Sequence, residues 1–256
     1  MARILITGSS DGLGSLAARA LVEKGHRVVL HARNDQRAKD ASSACPGAEG
    51  VIVADLSRIS EIKKMAKEAN EIGKFDTVIH NAGLFRGGFK KTEDGFPSLF
   101  AVNTIAPYML TCLMERPKRL VYISSMLHTG GDANLKDIDW KQRGESGWND
   151  MQAYSDSKLH NIMLAFGMAR KLSNVKSNSL DPGWVATKMG GAGASGDIQA
   201  AVDTYVMLAE GKTDASGKHF YMTKEKSPVP AAEDKSKQDD LLSMLKDITG
   251  CSLPSA

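Results

Sequence analysis

Short runs of aliphatic and β-branched residues punctuate the chain at regular intervals: Arg3–Thr7, His26–Leu30, Gly50–Val53, Asp76–Ile79 and Arg119–Ser124, with a sixth just before Asp181. Within each run the apolar residues are continuous rather than alternating, the pattern of strands covered on both faces. Between the runs lie segments of helical period, such as Leu13–Lys24, which Gly25 is placed to stop. Strand and helix in alternation predict an α/β fold, a doubly wound parallel sheet with helices on both sides.

Three stretches depart from that rhythm. Residues 126–150 carry a Gly-Gly pair, further turn residues and two tryptophans, and read as a long irregular insertion with some apolar anchoring by Trp140 and Trp148. Residues 190–196, rich in glycine and alanine, read as a flexible connector. Beyond Pro228 and Pro230 a final helix is expected over Glu233–Thr249, with Leu241, Leu242, Leu245 and Ile248 on one face and Gly250 as its stop. No internal repeat and no interdomain linker is visible, so residues 1–256 are expected to form one domain.

Composition narrows the class. A length of 256 residues fits one core, and 42% hydrophobic with 25% charged residues is the make-up of a folded domain. Lys plus Arg number 33 against 30 Asp plus Glu, without a basic block, which argues against nucleic acid as a partner. The amino terminus is too short in apolar residues for a signal peptide, and no run approaches the roughly 20 residues of a membrane span, so a cytoplasmic protein is expected. Cys45, Cys112 and Cys251 are widely spaced and read as free thiols; the histidines, including His31, His80, His128 and His160, show no metal-ligand spacing, and no metal site is predicted.

The first strand runs into Thr7, Gly8, Ser9, Ser10, Asp11, Gly12, Leu13 and Gly14, and a helix opens there. Glycines allow a tight turn and close approach of backbone to a pyrophosphate, and a helix N-terminus offers unpaired N–H groups to anionic oxygens. At the first βα turn of a parallel sheet this predicts a dinucleotide site in a Rossmann-type fold. The second strand ends Leu30-His31-Ala32-Arg33: where an acidic residue holds the ribose of NAD, Ala32 stands, and Arg33 can pair with a 2′-phosphate. NADP(H) is favoured, with NAD(H) the alternative; Asp11, an acid in the glycine turn, counts against it. Tyr154 and Lys158, four residues apart, fall on one helix face. An adjacent ammonium, together with the positive ring of an oxidised nicotinamide, favours phenolate and suits the tyrosine to general acid–base work. Ser125 closes the fifth strand at the edge where such sheets bind ligands, with Ser124 as the rival assignment.

The spacing Thr7-Gly8-xxx-Gly12-x-Gly14 resembles the short-chain dehydrogenase/reductase family, and further motifs follow in that family's order over nearly the whole chain. These are Asp55 and Leu56, then Asn81, Ala82 and Gly83, Asn103, Ser125, Tyr154 with Lys158, and Pro182 and Gly183 with Thr187 beyond. The insertion and the stretches around Tyr154 and Pro182 look most like its retinol-dehydrogenase-like branch. The resemblance implies hydride transfer between a nicotinamide cofactor and a ketone or aldehyde/alcohol pair. Tyr154 would exchange the proton, Ser125 bind the substrate oxygen, Lys158 bind the nicotinamide ribose and Asn103 hold a relay water. It implies cofactor contacts from Gly8, Ser9, Ser10, Gly12, Leu13, Gly14, Arg33, Asp55, Leu56, Asn81, Ala82, Gly83, Tyr154, Lys158, Pro182, Gly183, Val185 and Thr187.

Trp184, Val185, Met189 and the insertion suggest an apolar cleft for a lipophilic or aromatic small-molecule substrate. Asn103–Pro117 is shorter than the family's helix, which normally helps build a dimer face, so no homo-oligomeric state is read from the resemblance. A catalytically silent NADP-sensing or scaffolding protein on the same fold is the competing function. The complete set Asn103, Ser125, Tyr154 and Lys158 speaks against it, as the glycine spacing speaks against an epimerase or dehydratase.

Overall fold

A computed structural model, described over residues 1–253, places the strands in one eight-stranded sheet. In chain order they are β1 (Arg3–Ile6), β2 (Arg27–Ala32), β3 (Gly50–Val53), β4 (Thr77–His80), β5 (Arg119–Ile123), β6 (Lys176–Asp181), β7 (His219–Tyr221) and β8 (Lys224–Glu225). The spatial order is β3-β2-β1-β4-β5-β6-β7-β8, parallel except that β8 runs antiparallel to β7. The order reverses between β1 and β4, which opens a crevice at the carboxyl edge beside the glycine turn.

Side-chain alternation along each strand divides the interior in two. Leu5, Val29, Leu120 and Tyr122 point to one face, where α3 (Ile59–Ile72), α5 (Ala106–Leu113), α6 (Asp150–Lys171) and α9 (Lys235–Thr249) pack. Ile4, Ile6, Val28, Leu30, Val121 and Ile123 point to the other, beneath α1 (Gly12–Glu23), α2 (Asp35–Ala44) and α7 (Ile198–Glu210). Both faces are therefore buried, which accounts for the continuous apolar runs. Strand β6 is the exception: its Ser177, Asn178 and Ser179 are buried polar groups. Asn178 is satisfied by the backbone of Ala215 and Lys218, and Ser179 by the His219 ring, at 2.8–3.0 Å.

Two expectations are corrected. The last helix begins at Lys235, because the Asp234 backbone is extended and its carboxylate caps Ser236 and Lys237; Glu233 belongs to a separate turn, α8 (Pro230–Glu233). Residues 190–196 form no loose connector. They fold back on Val185, tied by Gly190 N–H to Thr187 Oγ1, Gly191 N–H to Thr187 O, Gly196 N–H to Trp184 O and the Trp184 indole to Gly190 O. A Cβ on Gly190 would fall 2.1 Å from Val185 O, so glycine here serves packing rather than mobility. The insertion is irregular apart from a 3-10 turn over Met126–Gly130, and Leu135, Ile138 and Trp140 anchor it in buried positions. All three cysteines are buried free thiols. Among the described residues no helix is long and apolar enough to cross a membrane.

Candidate active site

The three glycines of the first turn have different tasks. At Gly8, with φ +62°, a Cβ would lie 2.7 Å from Ala82 Cα; at Gly14 it would lie 2.5 Å from Asn81 Nδ2. Both are needed to seat the turn against the end of β4. Gly12, with φ +56°, meets nothing nearer than Thr187, at 3.8 Å, so it faces the open crevice with Thr187 across from it. Asp11 does not cap α1 with its side chain, which leaves the first-turn N–H groups to an anionic ligand. Asn81 braces the turn by donating to Thr7 O and Gly8 O, and it accepts from the Tyr205 hydroxyl. Thr7 Oγ1 accepts from Asn81 N–H and Ala82 N–H.

Ser9 is turned inward, contrary to expectation. Its hydroxyl donates to Ile6 O and accepts from His31 N–H, and its own N–H is held by His31 O, so both of its donors are spent within the protein. Ser10 stays half-buried at the crevice. Leu56 is likewise buried in the core, and Asp55 Oδ1 is occupied by Ser57 N–H and Oγ–H. His31 is the residue that spacing could not identify. Gly8 N–H donates to its Nδ1 at 2.8 Å and its Nε2 lies 2.9 Å from Ala54 O, so one ring joins the glycine turn to the end of β3.

At the end of β2, Arg33 is exposed and in no ion pair among the described residues. Arg37, one turn into α2, sits 2.8 Å from Asp11. The acid that weighed against a phosphate is thus neutralised by a cation from the next element, a pairing 26 residues apart in sequence.

The carboxyl end of β5 carries the two serines. Ser124 is buried and donates to Lys158 O at 2.8 Å, which ties the end of β5 to α6. The Ser125 hydroxyl accepts from Leu127 N–H at 3.3 Å and lies beside the Tyr154 phenol, whose ionisation it favours. Lys158 Nζ is buried, 5.2 Å from the Tyr154 ring centre, and donates to Ile123 O at 2.9 Å. Phe85 packs against Tyr154 with ring centres 4.5 Å apart. A Cβ on Gly83 would lie 3.6 Å from both Lys158 Nζ and Asn103 Oδ1, so glycine keeps that ground free of side chain.

Asn103 lies in a π-helical turn, Ala101–Ile105, inserted between the short α4 (Ser98–Phe100) and α5. Such turns are often found at functional sites. Its amide accepts from Leu84 N–H at 2.7 Å and donates to Leu84 O and Ser157 Oγ. The side chain therefore shapes the Gly83–Leu84 wall. Helix α5 ends at Leu113, as short as the sequence suggests.

Burial dominates the electrostatics. It pushes the Tyr154 phenol up to about 12, the Ser125 hydrogen bond working against it, and it pulls Lys158 down to about 8, Asp181 opposing. The lysine on its own does not bring the tyrosine toward ionisation.

At the end of β6, Gly183 takes φ +76° and Val185 is buried. Apart from Met1, the large apolar side chains left exposed among the described residues are Met126, Met151, Trp184 and Met189. All four lie on segments adjoining Ser125, Tyr154 or Gly183. A cavity of about 620 Å³ between the 3-10 turn and the start of α6 is lined by Leu127, Trp140, Arg143, Met151 and Ser155; Ser125, Tyr154 and Lys158 do not line it.

Residues 2–131 match the short chain dehydrogenase family. Short-chain dehydrogenase chyC of Penicillium rubens is 48% identical over 100% of both chains. Retinol dehydrogenase 14 of Homo sapiens is 36% identical over 73% of this chain and 62% of its own. Among solved structures, a protein from Mycobacterium paratuberculosis superposes with a TM-score of 0.84 at 24% identity, covering 99% of this chain and 95% of that one. RhlG of Pseudomonas aeruginosa, solved as an NADP complex, superposes at 0.67 with 20% identity, over 86% and 94%.

Proposed function

The chain belongs to the short-chain dehydrogenase/reductase family, and on that premise we propose that it is an NADP(H)-dependent reductase of a lipophilic or aromatic ketone or aldehyde, with Tyr154 as general acid. Family membership makes it an NAD(P)-dependent oxidoreductase acting on CH–OH groups. The observation that carries the finer reading is the convergence of Ser125, Tyr154 and Lys158 at one sheet edge, beside a glycine turn whose Gly12 faces the same crevice. When bound there, a nicotinamide cofactor supplies the hydride.

The residues of this chain manage the proton. Reduction needs a phenol that still holds its proton, and Tyr154, pushed up to about 12, holds it across the neutral range. Ser125, beside that phenol, turns its hydroxyl proton to the substrate oxygen as negative charge develops on it, while Tyr154 gives up its own proton. Lys158, fixed on Ile123 O, keeps a positive charge beneath the ring, and Asn103 holds Leu84 in place as one wall. Phe85, packed on Tyr154, and the exposed Met126, Trp184 and Met189, on segments that follow Ser125 and Gly183 in sequence, support an apolar approach. For the cofactor, an unpaired Arg33 and an Asp11 neutralised by Arg37 support NADP(H) over NAD(H); the NADP in the RhlG complex agrees with that choice.

NADPH oxidation against a panel of ketones, aldehydes and quinones tests the activity. Tyr154→Phe is expected to lower turnover by roughly 10²–10⁴-fold; a variant as fast as the parent would overturn the role of Tyr154. Fluorescence titration with NADPH and NADH tests the cofactor, and tighter NADH binding would overturn that preference.

A further inference from the structure

One buried acid near the candidate site takes no part in the chemistry described so far. Asp181 ends β6 and is 1% exposed. Its Oδ1 accepts from Gly183 N–H at 2.9 Å, while Oδ2 is buried with no hydrogen-bond partner. A carboxylate oxygen in that condition costs free energy unless a nearby charge compensates it.

The groups facing Asp181 come from four elements. Its charge is felt by Lys158 and Tyr154 of α6, by His128 of the 3-10 turn and by Lys226 beyond β8, none of them in an ion pair with it among the described residues, and burial raises its own pKa. His219 of β7 stacks on the His128 ring at 5.3 Å, and Tyr221 is the ladder partner of Asp181. Only two of these groups are cationic near neutral pH. His128 donates through Nδ1 to Ser125 O and accepts Val229 N–H at Nε2, which makes it a neutral ring, and burial holds His219 at about 3. Lys226 is exposed and acts on Asp181 from the solvent side, more strongly than Lys158 does. Lys158 is the buried cation. It makes no ion pair among the described residues; its hydrogen bond goes to the neutral Ile123 carbonyl and its other contact is the face of the Tyr154 ring. The ladder puts the two close: Ile123 is the register partner of Leu180, and Ser124 N–H donates to Leu180 O at 2.7 Å, one residue before Asp181.

We propose that Asp181 is a positioning residue for the Tyr154–Lys158 pair, its buried carboxylate serving as the counter-charge that keeps Lys158 protonated where no direct ion pair exists. Asp181 acts through Lys158 and touches neither substrate nor cofactor in this scheme. The proposal rests on the assignment of Lys158 and Tyr154 above, so its test is made without turnover.

The probe is the ε-carbon resonance of isotopically labelled lysine in the cofactor-free protein. The lysine titrating near 8, identified by its loss in Lys158→Met, is followed against pH. Asp181→Asn keeps an oxygen for Gly183 N–H and removes the charge; the Lys158 midpoint should then fall on the order of one pH unit. Asp181→Ser, a second neutral variant should the first not fold, should give the same shift, and Asp181→Glu should restore the midpoint. In turnover the Tyr154 limb of the pH profile should also move to lower pH, because removing a nearby negative charge eases ionisation of the phenol. A Lys158 midpoint unchanged in the neutral variants overturns the proposal whatever their activity, and a purely structural Asp181 would lower melting temperature without moving it. Failure of the enzymatic reading shows instead as a fully active Tyr154→Phe.

Discussion

Acid should unfold this protein largely through neutral histidines, and His31 allows the effect to be calculated. Its Nδ1 accepts Gly8 N–H, so the proton resides on Nε2 and is donated to Ala54 O; both bonds require the neutral ring. Burial lowers the pKa from 6.5 to about 4. Unfolded chains take up that proton near 6.5 and the folded protein refuses it until about 4. The unfolded state thus binds more protons in this window, and the stability contribution, complete above it, is lost as pH falls through it. A gap of about 2.5 units has a ceiling of about 3 kcal/mol, of which about 2 kcal/mol is gone by roughly pH 5. His80 and His160, also buried and held at about 3 and about 4, lose similar amounts. Together the three lose about 6 kcal/mol by roughly pH 5, a large share of a typical domain's stability. Urea unfolding from neutral pH down to about pH 5 measures it. His31→Gln is expected to be less stable than the parent at neutral pH by about 1–2 kcal/mol, and to lose about 2 kcal/mol less on acidification, so the two curves converge. Curves that stay parallel refute the assignment of this slope to His31.

Two further outcomes separate neighbouring residues. Ser125→Ala should lower kcat by roughly 10²-fold or more with the melting temperature nearly unchanged, whereas Ser124→Ala, which removes a buried tie to Lys158 O while leaving that carbonyl its bond within α6, should cost about 0.5–1.5 kcal/mol in denaturant unfolding. Arg33→Ala should weaken NADPH binding about 10-fold or more and NADH binding little, while Asp11→Asn, by releasing Arg37, should tighten NADPH; both are read by cofactor fluorescence titration.

What the sequence reveals of this molecule depends on whether the cause is local. Strands β1 to β5 are legible because both faces of the sheet are covered and each run must be apolar throughout. Strand β6 hides its character because Asn178 and Ser179 meet polar partners contributed from 37 to 40 residues away, and β7 and β8 are only three and two residues long. The glycines of 190–196 suggest mobility to a composition-based reading, yet the bonds that fix them reach back to Trp184 and Thr187. The site divides in the same way. A helical repeat suffices to put Tyr154 and Lys158 on one face, and strand ends suffice to bring Ser125 and the glycine turn to one edge. Which way Ser9 turns, what neutralises Asp11 and what His31 holds together are settled by contacts across elements, and none leaves a period in the chain. Tyr154 shows the limit most clearly. Its distance in sequence from Lys158 suggests a phenol eased toward ionisation, but the desolvation that raises it to about 12 depends on how completely Phe85, Ser125 and α6 enclose it. Enclosure is a property of the assembled fold, and it favours a tyrosine that gives its proton away over one that has already lost it.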